Sequence, residues 1–509
     1  MANVIGQRVR RKEDPRFLKG EGRYVDNMPL ENALHLTYVR SPLAHARVTN
    51  VDASEARALP GTQVFTAADV ELDKAPLPPF LGVDERFHRP FLASETVRFA
   101  GDIVAAILTE TREAGADASE LVYVDYEELP VVIDPRKAKD GDTLLFPDVG
   151  TNVCIQRPAA QSDDELFEGC DVVVDGTLVS QRLAASPLEP RASAATFENG
   201  KLTVWLSTQT PHQDRDGLAM NLGMEPQNVR VIGPDVGGGF GAKGLNVEDV
   251  LICWLARKTG RPIRWVETRT ENMIAMNQGR GQVLSFRIGG SRDGEVKAYR
   301  LSILADAGAY PGIGAFLPNL TGMMASGVYK IPKIDVDVTA VTTNTTPIGP
   351  FRGAGRPEAT QAIERAMDMF AAELGMDPAD VRRRNFIQPG DFPFTTASGA
   401  TYDIGDYEGA LDKALDAAGY QQLRDEQQRR RDSNGARQLG IGLSTYVEVT
   451  NGLGESEFGA VRIDGQGKAT LRTGSFSHGQ GHETTFAMIV AERLGLPVED
   501  VTVIKGDTD

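Results

Sequence analysis

The run VRVIGPDVGGGFGAKGLNVE, from Val229 to Glu248, constrains this chain more than any other stretch. A strand-like apolar segment enters Gly237, Gly238, Gly239, Gly241 and Gly244, and a helical pattern follows. Glycines crowded in this way let backbone approach a partner closely, because no Cβ intervenes and positive φ costs little. A helix that starts beyond such a loop can offer N–H groups to an anion. The rest of the sequence has to explain what the loop holds.

Local rules suggest one answer. Gly239, Gly241 and Gly244 satisfy GxGxxG between the strand VRVIG and the helical stretch NVEDVLICWLARKTG, and Glu267 follows where a ribose-binding acid is expected. That reading makes the chain an NAD-dependent dehydrogenase using GFGAKG. Two features weaken it: Pro234-Asp235 interrupts the strand before the glycines, and the unit stands mid-chain instead of heading an alternating series. A tight turn with close backbone packing is the plainer alternative. No GK[ST] follows, which excludes a phosphate-binding P-loop.

A second feature is an internal repeat. Lys201 and Lys468 each begin a strand, a polar turn containing a glutamine, a helix ending in Leu-Gly, and a second strand with the pattern V-x-V-I. Gln209 and Gln480 occupy nearly the same place in the two copies. Convergent βαβ-like units would give this pattern. So would two related subdomains, each presenting an uncharged amide with donors and an acceptor to a shared ligand.

With 509 residues the chain should hold two or three domains. The expected organisation is α+β: a small α/β unit over residues 1–139, a polar connector over 140–166, and a large region over 167–430 and 431–509. A net charge of −17 argues against nucleic acid or an anionic membrane as partner. The N-terminus lacks an apolar core of signal type, and no apolar run is long enough to span a bilayer. Cys154, Cys170 and Cys253 are scattered, which fits a reducing cytoplasm and gives this chain no iron–sulfur cluster of its own.

Zinc chemistry and hydrolase chemistry both lack their motifs. His482-Glu483 begins like HExxH, but Phe486 stands where the second histidine is needed, and GxSxG is absent. Three loops remain: GGGFG, FRGAGR and HGQGHET. Rich in glycine, amide and guanidinium groups, together they suit a large anionic cofactor held by N–H donors.

In that order these loops resemble the molybdopterin-binding large subunits of the molybdenum hydroxylases, which include xanthine dehydrogenase, aldehyde oxidoreductase and aerobic carbon monoxide dehydrogenase. The resemblance runs along essentially the whole chain. GxGRYVDN (Gly20–Asn27), YVRSPLAHARV (Tyr38–Val48) and VRFAGDIVAAILTET (Val97–Thr111) resemble the first, hammerhead-type domain. SPLEPRAS (Ser186–Ser193), LSTQTPH (Leu206–His212), GGGFGAK (Gly237–Lys243), YKIP (Tyr329–Pro332), PFRGAGRPEA (Pro350–Ala359) and GQGHET (Gly479–Thr484) resemble the cofactor-binding region.

The resemblance assigns roles to residues. Gln209 and Gln480 match glutamines that contact the molybdenum dithiolene or the pterin. Gly238, Gly239, Phe240 and Gly241 match the loop that approaches the molybdenum ligands, with Phe240 against the site. Arg352 matches an active-site arginine, and Gly479, Gly481 and His482 flank Gln480 in its loop. Phe240, Ala354 and Glu448 are expected around the substrate, although Glu448 reads equally as a solvated strand carboxylate. The implied cofactor is molybdenum–molybdopterin in its cytosine dinucleotide form. The implied partners are an iron–sulfur small subunit and an FAD-binding medium subunit, and the implied reaction is hydroxylation of an electrophilic carbon with oxygen drawn from water.

Departures from the pattern narrow the substrate. Gly353 and Ala354 stand where carbon monoxide enzymes carry a copper-binding cysteine, and Gly244 where purine-oxidising relatives carry a glutamate. Aldehydes and N-heteroaromatics both remain. The family's general-base glutamate is expected beyond Asp509, which leaves no catalytic side chain in this sequence. A truncated product, a subunit completed by a second polypeptide and an inactive remnant all fit that expectation.

Overall fold

The computed structural model describes residues 4–72, 74–77, 79–449 and 456–509. In chain order the first strands are β1 (Leu34–Arg40), β2 (Ala46–Asp52), β3 (Gln63–Thr66), β4 (Thr96–Val97), β5 (Ile103–Thr109) and β6 (Tyr123–Glu128). β5 is the apolar run IVAAILT, buried on both faces, so it sits mid-sheet between β1 and β3. β2, β4 and β6 make a separate three-stranded sheet.

Next come β7 (Val153–Arg157), β8 (Val172–Ser180), β9 (Ala192–Glu198), β10 (Lys201–Leu206), β11 (Val229–Ile232) and β12 (Ile263–Val266). β1 pairs in parallel with β12, so the early strands join a seven-stranded sheet of order β11-β10-β9-β12-β1-β5-β3. Trp265, Tyr38 and the helix Val247–Thr259 fill the core beside it.

β13 (Gln282–Gly290), β14 (Val296–Gly308) and β15 (Lys333–Thr342) form a five-stranded sheet in the order β7-β15-β14-β13-β8. β7 lies in the stretch expected as a connector. It pairs antiparallel with β15 and buries Cys154, a pairing that local polarity does not reveal. The helix Arg356–Leu374 packs its apolar stripe, Ala362, Ile363, Ala366, Met367 and Phe370, into the core of this sheet. After a short hairpin of β16 (Phe394–Thr395) and β17 (Thr401–Tyr402), the last strands are β18 (Gly459–Ile463), β19 (Ala469–Thr473) and β20 (Val501–Ile504).

The repeat is real and longer than the sequence pattern shows. Each copy is an antiparallel hairpin, a helix, a 3₁₀ turn and a strand parallel to the second hairpin strand: β9-β10-(Pro211–Leu222)-β11, and β18-β19-(His482–Leu494)-β20. The shared Leu-Gly marks the helix ends, where Gly223 and Gly495 take φ of 61° and 69°, left-handed values that glycine adopts without strain. The copies meet where their last strands end. The Gly233 N–H donates to Gly506 O at 2.6 Å, Ile232 bridges Asp507, and Arg230 grips the Asp507 carboxylate at 2.9 and 2.6 Å. The Phe476 ring fills the space beside both glycines: a Cβ on Gly506 would lie 2.5 Å from it and one on Gly233 2.7 Å. Among the described residues no helix is long and apolar enough to cross a membrane.

Candidate functional site: a cleft between the repeat copies

The structure brings the three loops together around one cleft of about 840 Å³. It is lined by Gly237 to Gly241, by Pro350 to Ala354, by His478 to Gln480, and by Arg11, Phe17, Tyr24, Leu188 and Val236. Its volume lies within the range of sites that enclose a cofactor-sized ligand. Two of its lining side chains are arginines and none is a carboxylate, in a chain of net charge −17. Arg11 pairs with Glu13 at 3.3 Å and Asp14 at 3.4 Å, which leaves the Arg352 guanidinium to attract an anion into the cleft.

Gln209 shapes the glycine loop from below. Its Oε1 accepts from the Gly241 N–H at 2.8 Å and the Lys243 N–H at 3.4 Å, and its own N–H donates to Lys243 O at 3.0 Å. A Cβ on Gly239 would collide with the Gln209 amide, so glycine is required there. Gly241, at φ 90°, faces Pro350 O and brings the FRG loop close. Phe240 O accepts from the Arg352 N–H at 2.9 Å, and Arg280 donates to Phe351 O at 2.8 Å and Arg352 O at 2.6 Å. Phe240 and Ala354 adopt φ of 55° and 39°, unusual for side chains with a Cβ, and backbone strain of this kind collects at ligand sites. Phe240 is 39% exposed, facing into the cleft that it lines.

Beneath the loop lies a pair that sequence reading missed. Lys243, with a side chain 0% exposed, donates to Glu189 Oε2 at 2.9 Å; the same oxygen accepts from Gly237 N–H at 2.7 Å and Ser207 Oγ at 2.8 Å. Burial lowers the Lys243 pKa, and Glu189 works against that fall. The SPLEP and GFGAK motifs are thus one anchor, and 54 residues separate its two ends.

Gln480 holds the opposite wall. Its Oε1 accepts from the His478 N–H at 2.8 Å, and Gly479 and Gln480 both line the cleft. Gly481 caps the helix His482–Leu494. His482 begins that helix and stacks on Phe486 at 4.6 Å between ring centroids, outside the cleft lining. Glu448 is also outside the lining. It pairs with Arg356 at 2.9 Å, whose guanidinium donates to Gly353 O at 3.0 Å, so it touches the FRGAGR loop through one intermediary. Arg352 is exposed at the cleft, and its guanidinium meets no acceptor among the described residues. No cluster of histidine, cysteine or carboxylate suited to a metal ion occurs among them either.

The dinucleotide reading of the glycine loop fails on geometry. Glu267 is 2% exposed and committed to Arg191, which donates to it at 3.0 and 2.5 Å, and to Asn272 at 2.7 Å. β12, which leads to Glu267, is separated from β11 by β10 and β9, so the adjacent parallel pair of a dinucleotide fold is absent. The N-terminus of the Val247–Thr259 helix is engaged too: Leu245 N–H donates to Asp214 and Asn246 N–H to Asp249. Burial pushes Asp249 up to about 7 and Asp214 up to about 6.

A family described as the aldehyde oxidase and xanthine dehydrogenase a/b hammerhead domain matches residues 19–130. The molybdopterin cofactor-binding domain matches twice, over residues 145–386 and 413–509, so both copies of the repeat fall in such domains. The large chain of carbon monoxide dehydrogenase from Afipia carboxidovorans is 36% identical over 99% of this chain and 67% of its own length. This chain belongs to the molybdenum hydroxylase family, as a molybdopterin-binding large subunit. The large subunit of nicotine 6-hydroxylase from Paenarthrobacter nicotinovorans is 34% identical over 99% of the chain and 64% of its own length. Quinoline 2-oxidoreductase from Pseudomonas putida 86 superposes with a TM-score of 0.92 at 34% identity, over 100% of this chain and 67% of that one. The chain thus spans about two thirds of the length of these relatives. Its cleft fits the group that the family binds: the Arg352 guanidinium at its edge, a loop stripped of Cβ atoms at the closest approach, the Gln480 amide in its lining and the Gln209 amide beneath the loop.

Proposed function

We propose that this chain forms the cofactor-binding wall of an enzyme that hydroxylates an N-heteroaromatic ring with oxygen from water. The observation that carries this reading is the cleft itself, where the Gly238–Gly241 loop, Arg352 and Gln480 converge, with Gln209 beneath the glycine loop. Molybdopterin bound there supplies the redox-active molybdenum that accepts two electrons from the substrate carbon. The chain's own groups bind and orient it. Gln480 lines the cleft and Gln209 underlies it, their amide nitrogens meeting at His478, the Arg352 guanidinium neutralises negative charge at the mouth, and Phe240 walls the substrate side and excludes water. We assign the cytosine dinucleotide form to the pterin, as the family resemblance implies.

The substrate class follows from the relatives and from this chain's cysteines. Nicotine and quinoline enzymes are among the similar proteins at 34% identity, whereas the aldehyde oxidoreductases that superpose are 24–25% identical. The carbon monoxide reading lacks its copper ligand: Cys154 and Cys253 are buried, and no cysteine lines the cleft. The cleft's imidazole, His478, has its Nε2 within 3.1 Å of two glutamine amides, so we place the base for proton abstraction on polypeptide beyond the part of the relatives that this chain matches. Iron–sulfur and FAD subunits carry the electrons away, and the assembly works in the cytoplasm. The test is isotopic. The complex isolated from its native host through a tag on this chain should hydroxylate quinoline- or pyridine-type rings with oxygen from ¹⁸O-water. Turnover of aldehydes alone would refute the substrate class.

A further inference from the structure

His478 stands between the two copies of the repeat. Its Nε2 lies 3.1 Å from Gln209 Nε2 and 3.0 Å from Gln480 Nε2. Both amide orientations are fixed independently, because each Oε1 accepts from backbone N–H groups: Gly241 for Gln209, and His478 itself for Gln480. Each glutamine therefore turns its NH₂ toward the ring, and Nε2 of His478 must be the acceptor. That sets the neutral ring with its proton on Nδ1, a buried atom with no hydrogen-bond partner among the described residues.

An unprotonated imidazole nitrogen has one in-plane lone pair, and here two donors share it. Neither amide is fully satisfied, and both line or underlie the same cleft. We propose that His478 is a positioning residue that draws Gln209 and Gln480 together and leaves one of the two amides free for an acceptor atom on the bound pterin cofactor. The proposal rests on the reading that the cleft holds that cofactor. An acceptor entering the cleft takes one amide and leaves the other on His478, which relieves the competition and favours the occupied site. The histidine also couples the two subdomains, since a shift of either glutamine is felt by the other through the shared nitrogen.

Two measurements test this. In the chain with ¹⁵N-labelled histidine, the His478 signal, assigned by its loss in His478→Leu, should show an unprotonated Nε2 at neutral pH; a proton on Nε2 would overturn the proposal. In the complex isolated from its host, His478→Leu should release pterin and molybdenum roughly tenfold faster on dilution, as loss of the hydrogen bond shared by the amides implies. His478→Gln, which retains an acceptor oxygen, should hold the cofactor within about twofold of the wild type, the residual cost of a changed hydrogen-bond geometry. Thermal unfolding that matches the wild type in both variants separates positioning from misfolding. Equal retention by His478→Leu and the wild type would overturn the proposal. A wild-type complex without pterin would instead overturn the functional reading, and the tautomer measurement would still decide the role of the histidine.

Discussion

At the scale of single residues, the cleft depends on what is left out as much as on what is present. Gly239 has no room for a Cβ because the Gln209 amide occupies the space. Gly239→Ala should displace that amide at a cost of about 1–3 kcal/mol. Molybdenum content should fall severalfold while the melting temperature changes little, and unchanged content would contradict the packing argument. Asp249 gives a pH test. Its buried carboxyl, pushed up to about 7, keeps its proton in the folded state where the unfolded chain has lost it. Stability therefore falls as pH rises between the unfolded and folded values. Asp249→Asn removes that penalty and keeps an acceptor for the Asn246 N–H. Its advantage in urea unfolding should grow by ~2 kcal/mol between about pH 5 and pH 8; an advantage independent of pH would contradict the assignment. That Phe240, Arg352 and Gln480 share one cleft, with Gln209 beneath its glycine loop, could be suspected from the sequence because each sits in a compact motif; their roles toward a cofactor are proposals. Glu189 with Lys243 was not legible as a pair, and His478 was given no role, because Lys243 and Gln209, their partners, are distant in sequence.

At the scale of elements, the repeat supplies the symmetry of the site. The strand–helix–strand pattern was visible, including its Leu-Gly helix ends and matching glutamines. The hairpin strands β9 and β18 were not recognised as part of it: β18 is exposed along its whole length and carries no burial signature, and β9, buried continuously over its first four residues, shows no two-residue alternation. The glycine loop was misleading for a related reason. GxGxxG reports a strand, a turn and a helix, but not which strand lies beside which, and β12 is three places from β11. The junction between copies turns on Phe476, which is 5% exposed and packed against Gly233 and Gly506. Phe476→Ala should cost about 3–5 kcal/mol of local stability. Hydrogen exchange should then accelerate selectively in β11 and β20, whereas uniform acceleration across all sheets would contradict a local junction.

At the scale of the whole molecule, the α+β class and the small leading unit followed by a cofactor region were expected from the motifs, and they are found. The continuity of the seven-stranded sheet was not expected. β1, β3 and β5 extend the same sheet as β9 to β12, so the leading unit supports the glycine loop's own scaffold instead of standing apart. Parallel pairing of β1 with β12 links residues more than two hundred positions apart, a distance over which local pattern carries no information. The buried network of Arg40, Arg191, Glu248 and Glu267 ties these parts together and explains why Glu267 was unavailable to a ligand. An assembled wall that holds a molybdenum–pterin cofactor is open to metal and pterin analysis of the complex. The complex isolated from its native host through this chain should contain molybdenum and pterin in equal amounts, close to one of each per chain, and Gln209→Ala with Gln480→Ala should lose both together. A folded wild-type complex without either, or a double variant that keeps both, would contradict it.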